Sequence, residues 1–106
     1  MYNDLNKLKR IFPIIYCFFN KNNSLDKKII SEQIKLINKI GSNGIASLGL
    51  ATEVNKLSFQ EKKIIIEMVS KYSNDSIPTV VTIQGNSFEE YLRLIEIAKF
   101  NEASWI

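Results

Sequence analysis

A short loop after an apolar run lies where exposed backbone N–H groups could bind a small anion. Residues 44–48 are apolar enough to form a buried strand, and Gly49-Leu50-Ala51-Thr52-Glu53 follows directly. In α/β proteins, ligands bind at the carboxyl ends of parallel strands, and backbone N–H groups there suit a carboxylate or phosphate. Spacing alone leaves an ordinary βα loop as the alternative. The loop is not a P-loop, since it lacks the second glycine and the Lys-Ser/Thr pair.

Two further strand ends carry weaker candidates. Tyr16 and Cys17 lie near the end of the apolar run at residues 11–19, and Gln84-Gly85-Asn86 follows the run at residues 79–83. The Tyr16 hydroxyl could line a pocket, although an aromatic residue at such a place more often packs in a core. A Gly-Asn pair is typical of a turn. Cys17 has no basic neighbour in the sequence that would lower its pKa, which indicates packing rather than reactivity.

The composition excludes several kinds of chemistry within these 106 residues. The chain has no histidine and a single cysteine. A Ser-His-Asp or Cys-His mechanism therefore cannot be built from it, and the usual ligand set of a zinc site is missing. We expect no metal and no cofactor. One cysteine cannot form a disulfide within the chain, which favours a reducing, cytoplasmic setting.

The charge and the apolar runs predict neither a nucleic-acid nor a membrane partner. The net charge of +3 is small and spread along the chain, without a basic stripe interleaved with aromatic residues. No apolar run approaches the roughly 20 residues of a membrane helix, and the first residues lack the features of a signal peptide. At 106 residues we expect at most one small domain, with no linker or second domain.

Strand-like and helix-like segments alternate along the chain. Asp26 can cap a helix to about Ile40, and Ile30, Ile34, Ile37 and Ile40 share one of its faces. Gly41 suits the end of this helix. The second helix begins with the capping box Ser58-Phe59-Gln60-Glu61 and runs to about Lys71. Its predicted inner stripe is Ile65, Met68, Val69 and Tyr72.

The third unit repeats this plan. Ser87-Phe88-Glu89-Glu90 predicts a second capping box, and the helix runs to about Phe100. Its predicted apolar stripe is Phe88, Tyr91, Leu92 and Ile95. Residues 103–106 begin a fourth strand. The order βαβαβαβ implies an α/β fold with a parallel sheet and right-handed crossovers. The sheet could be an open doubly wound sheet or part of a closed (β/α)8 barrel.

The central motif resembles the signature of the dihydrodipicolinate synthase / N-acetylneuraminate lyase family. That signature has a helix-ending glycine, a strand, Gly-Thr-Thr-Gly-Glu and then Leu-Ser-x-x-Glu. Residues 41–53 match its first part, and Leu57-Ser58 with Glu61 match its second. Ile77-Pro78 and Gly85-Asn86 also fit in register, as does Phe18 followed by Leu25-Asp26. The resemblance covers essentially the whole chain.

The resemblance implies a (β/α)8 TIM barrel, usually tetrameric, of which this chain supplies about the first three and a half βα units. It also implies a class I aldolase or lyase, in which a lysine forms a Schiff base with pyruvate or a related 2-keto acid and a tyrosine relays protons. Both residues are expected beyond Ile106. The substrate carboxylate would be bound by the loop Gly49, Leu50, Ala51, Thr52 and Glu53, with Tyr16 as a further contact.

The chain departs from the family pattern inside this loop. Leu50 and Ala51 stand where the family has its two threonines, and Thr52 stands where it has glycine. Tyr16-Cys17 replaces Thr-Pro at the first strand end. The alternatives are therefore a divergent aldolase, a member without catalysis, or a small stand-alone α/β binding module. The isolated chain is expected to be inert and to be molten, oligomeric or insoluble, since edge strands with apolar faces would be unpaired.

Overall fold

Three helices alternate with two short strands in the computed structural model, which describes residues 13–40, 44–48, 56–73 and 78–104. The elements, in chain order, are α1 (Lys27–Lys39), β1 (Ile45–Ser47), α2 (Phe59–Tyr72), β2 (Thr79–Val81) and α3 (Phe88–Phe100). The helices lie within a few residues of the predicted ranges. The alternation confirms the α/β class.

The strands form a parallel sheet in which β1 is central. Ile45 pairs with Thr79, Ala46 with Val80, and Ser47 with Val81. On the other side of β1, Ile14 forms a parallel bridge with Ala46. The Ile15 N–H donates to the Ala46 carbonyl at 3.0 Å, and the Ala46 N–H donates to the Pro13 carbonyl at 2.9 Å. Pro13 thus serves only as an acceptor, which a residue without an N–H can do.

The first two helices begin at the predicted side-chain caps. Asp26 accepts a hydrogen bond from the Ile29 N–H at 3.2 Å. Ser58 Oγ accepts from the Glu61 N–H at 3.1 Å, and Glu61 Oε1 accepts from the Ser58 N–H at 2.9 Å. The predicted capping box of α2 is therefore confirmed, and it fixes where the loop before α2 ends.

Loss of this cap should destabilise the protein modestly. We expect Ser58→Ala to lower the free energy of unfolding by about 1 kcal/mol, because the Glu61 N–H loses its acceptor. Urea denaturation followed by circular dichroism measures the change. Ser24→Ala is the control, since the Ser24 hydroxyl has no hydrogen bond among the described residues. Equal effects of the two substitutions would contradict the assignment.

The helices cover one face of the sheet. Ile15, Ile45 and Val81 project from the strands into the core and are at most 2% exposed. The rest of the core comes mainly from the helices: Ile30, Ile34, Ile37, Ile65, Ile66, Met68, Val69, Leu94 and Ala98. On the opposite face Ile14 is 40% exposed and Tyr16 57%. The apolar run at residues 11–19 is typical of a strand buried on both faces, but Ile14 and Tyr16 depart from this because no described element covers their face.

The predicted helix faces need two corrections. Ile40 is 69% exposed because it lies at the C-cap of α1, beyond the buried Ile30, Ile34 and Ile37. On α3 the predicted inner stripe is wrong. Phe88, Tyr91 and Leu92 are exposed, and the helix packs on the core through Leu94 and Ala98 instead. The helix carries two apolar stripes, and periodicity alone does not show which one meets the sheet.

Candidate functional site

The structure describes both ends of the candidate anion-binding loop. Leu48, directly after β1, is fully buried and has a φ of 61°. This left-handed backbone is unfavourable for a leucine and turns the chain sharply out of the strand. The loop is followed by Leu57, which is 5% exposed, and then by the Ser58 cap. Gly49, Leu50, Ala51, Thr52 and Glu53 lie outside the described residues, so their role stays a prediction.

Tyr16 lies at the end of the first strand-like segment, and its backbone is held by α1. Its N–H donates to Gln33 Oε1 at 2.8 Å, and its carbonyl accepts from Gln33 Nε2 at 2.9 Å. The side chain is on the same face of the segment as Ile14, because alternate residues of a strand share a face. Tyr16 is 57% exposed. Its phenol therefore belongs to the uncovered face, where the first strand ends, and not to the core.

The loop after β2 is held closely against the start of α3. A Cβ at Gly85 would lie 3.0 Å from Glu90 Cβ and 3.1 Å from the Tyr91 nitrogen, so only glycine fits without displacement. Glu90 Oε2 accepts from the Asn86 N–H at 2.8 Å. Ser87 Oγ caps α3 through the Glu90 N–H at 3.2 Å. The predicted second capping box is therefore only half formed, because Glu90 binds Asn86 rather than Ser87.

A buried lysine completes the contacts of this loop. Lys62, on α2, is 2% exposed, and its Nζ donates to the Gln84 carbonyl at 2.7 Å. The same Nζ lies 3.5 Å from Glu90 Oε1. Lys62 thus joins the first turn of α2 to the loop after β2 and to α3. We define Lys62, Gly85 and Glu90 as the loop clamp.

The sequence favours outer helix faces or loops for most of the lysines, and Lys62 departs from this expectation. Lysine is rarely buried unless it is paired, so its residue type favours the surface. The signal that could have found it is its position one residue after Glu61, within a turn of the N-cap and therefore close to the strand ends. Gln84 and Asn86 themselves are exposed at this edge.

The described strand ends converge on one edge of the sheet, because the strands are parallel. This edge holds the Tyr16 phenol, the exposed Gln84 and Asn86 side chains and both ends of the 49–53 loop. Such groups can bind a small polar molecule by hydrogen bonds. Within the ranges that the structure describes, no three His, Cys, Asp or Glu side chains are grouped as metal ligands would be. No described helix is long and apolar enough to span a membrane.

Comparison with known proteins decides the family. The model of the dihydrodipicolinate synthetase family matches residues 7–102, which is nearly the whole chain. The chain belongs to this family. A 4-hydroxy-tetrahydrodipicolinate synthase from Methanococcus aeolicus is 30% identical over 92 residues, covering 87% of this chain and 32% of that protein. The family match bears out the resemblance seen in the central motif.

Solved structures of family members agree with the fold. N-acetylneuraminate lyase from Mycoplasma synoviae has a TM-score of 0.83 at 27% identity, over 93% of this chain and 34% of the lyase. A catalytic lysine mutant of the sialic acid aldolase from Ruminococcus gnavus has a TM-score of 0.84 at 21% identity, over 93% of this chain and 32% of the aldolase. At that identity the second match supports the fold alone. The chain spans about a third of the length of the family relatives it matches.

Proposed function

We propose that these residues form the first part of a (β/α)8 barrel in a Schiff-base aldolase or lyase, which acts on pyruvate or a related 2-keto acid. The observation that carries the proposal is the family match over residues 7–102. The parallel sheet supports it, since its helices cover one face, as the outer helices of a barrel do. The uncovered face, with Ile14 and Tyr16, would then be the barrel interior. Residues 1–106 belong to a single barrel domain in this proposal.

The proposed role of this chain is to bind the carboxylate of the 2-keto acid. The loop from Gly49 to Glu53 follows β1 at the carboxyl edge of the sheet, where barrel enzymes have their active sites. The backbone N–H groups of Ala51 and Thr52 would donate to the carboxylate, a task that does not depend on side-chain hydroxyls. The Tyr16 hydroxyl would supply a donor in place of the threonines that Leu50 and Ala51 replace.

The chemical step needs residues that we place elsewhere in the full-length protein. A lysine would attack the keto carbon, and loss of water would give an imine. The protonated imine draws electrons from the adjacent carbon–carbon bond, so that this bond can form or break. A tyrosine would relay the protons. We further propose a cytoplasmic homotetramer without a cofactor.

Inactivation by borohydride tests the proposed function. The full-length protein is assayed for release or consumption of pyruvate, with N-acetylneuraminate as one candidate substrate. We expect borohydride to abolish activity only when pyruvate is present, because reduction of the imine blocks the lysine permanently. Borohydride without pyruvate is the control. The second candidate is a non-catalytic family member, which the missing hydroxyls at positions 50 and 51 favour. It would be supported if the protein has no such activity and if pyruvate with borohydride does not modify it.

A further inference from the structure

One side chain binds both the backbone N–H and the backbone carbonyl of Tyr16. Gln33 Oε1 accepts the Tyr16 N–H at 2.8 Å, and Gln33 Nε2 donates to the Tyr16 carbonyl at 2.9 Å. The two residues are 17 positions apart in sequence. Both the donor and the acceptor of one residue are thereby satisfied, as they would be in a strand ladder. The side-chain amide of Gln33 takes the place of a neighbouring strand.

Gln33 covers the outer edge of the sheet. The Pro13 carbonyl and the Ile15 N–H both bind Ala46 of β1. Because backbone groups of successive strand residues point to alternate sides, those of Tyr16 point away from β1. A further strand that paired with this segment on the side away from β1 would therefore find the N–H and carbonyl of Tyr16 already bound, and its hydrogen bonds must end before Tyr16.

The side chain of Tyr16 is left free by this arrangement. Ile15, the preceding residue, is fully buried beneath the helices, so Tyr16 projects to the opposite face. There it is 57% exposed. No hydrogen bond of its hydroxyl occurs among the described residues, although its backbone is fixed at two atoms. A fixed backbone with an exposed phenol can present the hydroxyl to a ligand in a defined position.

We propose that Gln33 is a positioning residue of the 2-keto acid site, which holds Tyr16 so that its hydroxyl donates a hydrogen bond to the substrate carboxylate. This inference rests on the proposed function. It adds to that function a residue on α1, away from the loops, that acts on substrate binding only through Tyr16. Gln33 itself touches the Tyr16 backbone and not the substrate.

A double-mutant cycle in the full-length protein tests the inference. We expect Gln33→Leu and Tyr16→Phe each to raise KM for pyruvate about five- to tenfold with little change in kcat. Tyr16→Phe removes the hydroxyl that contacts the substrate, and Gln33→Leu releases the backbone that positions this hydroxyl. The double variant should have the KM of Tyr16→Phe alone, because Gln33 has no effect without the hydroxyl. Gln60→Leu, the same substitution at an exposed position of α2, is the control and should leave KM unchanged.

Hydrogen exchange adds a readout that does not need catalysis. The Tyr16 amide should exchange faster in Gln33→Leu than in the wild type and in Gln60→Leu, because it loses its acceptor. Two results would overturn this inference alone, provided that the protein is active and forms a Schiff base that borohydride traps. One is that Gln33→Leu leaves KM unchanged. The other is that the effects of Gln33→Leu and Tyr16→Phe on KM add in the double variant. A protein that forms no Schiff base with pyruvate would overturn the proposed function and, with it, this inference.

Discussion

Replacing Lys62 by alanine should lower the free energy of unfolding of the full-length protein by about 3–5 kcal/mol. The substitution removes the buried ammonium that donates to the Gln84 carbonyl, and it leaves Glu90 Oε1 facing no cation. A buried charge without its partner is among the most destabilising changes a single substitution can cause. Denaturation in urea, with circular dichroism and fluorescence as two probes, measures the effect.

Two comparisons separate the buried pair from ordinary surface charges. Arg93 and Glu89 form an ion pair at 2.7 Å, but both side chains are more than half exposed, so Arg93→Ala should cost only about 0.5 kcal/mol. Lys62→Met combined with Glu90→Gln should recover much of the stability lost in Lys62→Ala, because it removes both charges and keeps the packing volume. Loss of less than about 1 kcal/mol in Lys62→Ala would contradict the loop clamp.

The 106-residue chain produced by itself should associate into oligomers or precipitate. Phe88, Tyr91 and Leu92 form an exposed apolar stripe on α3, and Ile14, Phe18 and Tyr16 are exposed at the uncovered face of the sheet. Adjacent exposed apolar side chains of this size promote association. Sedimentation velocity measures the distribution of species over a range of protein concentrations.

Charged substitutions locate the surface responsible for the association. The pair Phe88→Glu and Leu92→Lys should shift the isolated chain toward the monomer, because it breaks the α3 stripe without touching the core residues Leu94 and Ala98. Leu36→Lys, on the exposed side of α1, is a control for added charge. A wild-type chain that sediments as a monomer and unfolds in one sharp thermal transition would contradict this expectation.

The sequence predicts the elements well, because their local signals agree with one another. Asp26, Ser58 and Ser87 all cap the helices they were expected to cap. The strands are shorter than their apolar runs: residues 79–83 contain only the three-residue β2. Apolar composition marks burial, but the ladder extends only where a neighbouring strand is in register.

The orientation of α3 and the loop clamp were not predictable in this way. Phe88, Tyr91 and Leu92 follow the helical period as well as Leu94 and Ala98 do, and only tertiary packing chooses between the two faces. Lys62 and Gln33 act on groups that are 22 and 17 positions away in sequence. Contacts between residues so far apart cannot be predicted from the local sequence pattern. The role of Gly49 to Glu53 still rests on the family resemblance and on the position of the loop after β1.

The most direct test of the account is to locate the lysine that forms the Schiff base. The full-length protein is reduced with borohydride in the presence of pyruvate, digested, and analysed by peptide mass spectrometry, with the 106-residue chain treated in parallel. We predict a single modified lysine outside residues 1–106 and no modification of the isolated chain. A pyruvate adduct on a lysine within these residues, in either sample, would contradict the claim that this chain binds the substrate carboxylate while the chemistry is supplied by another part of the protein.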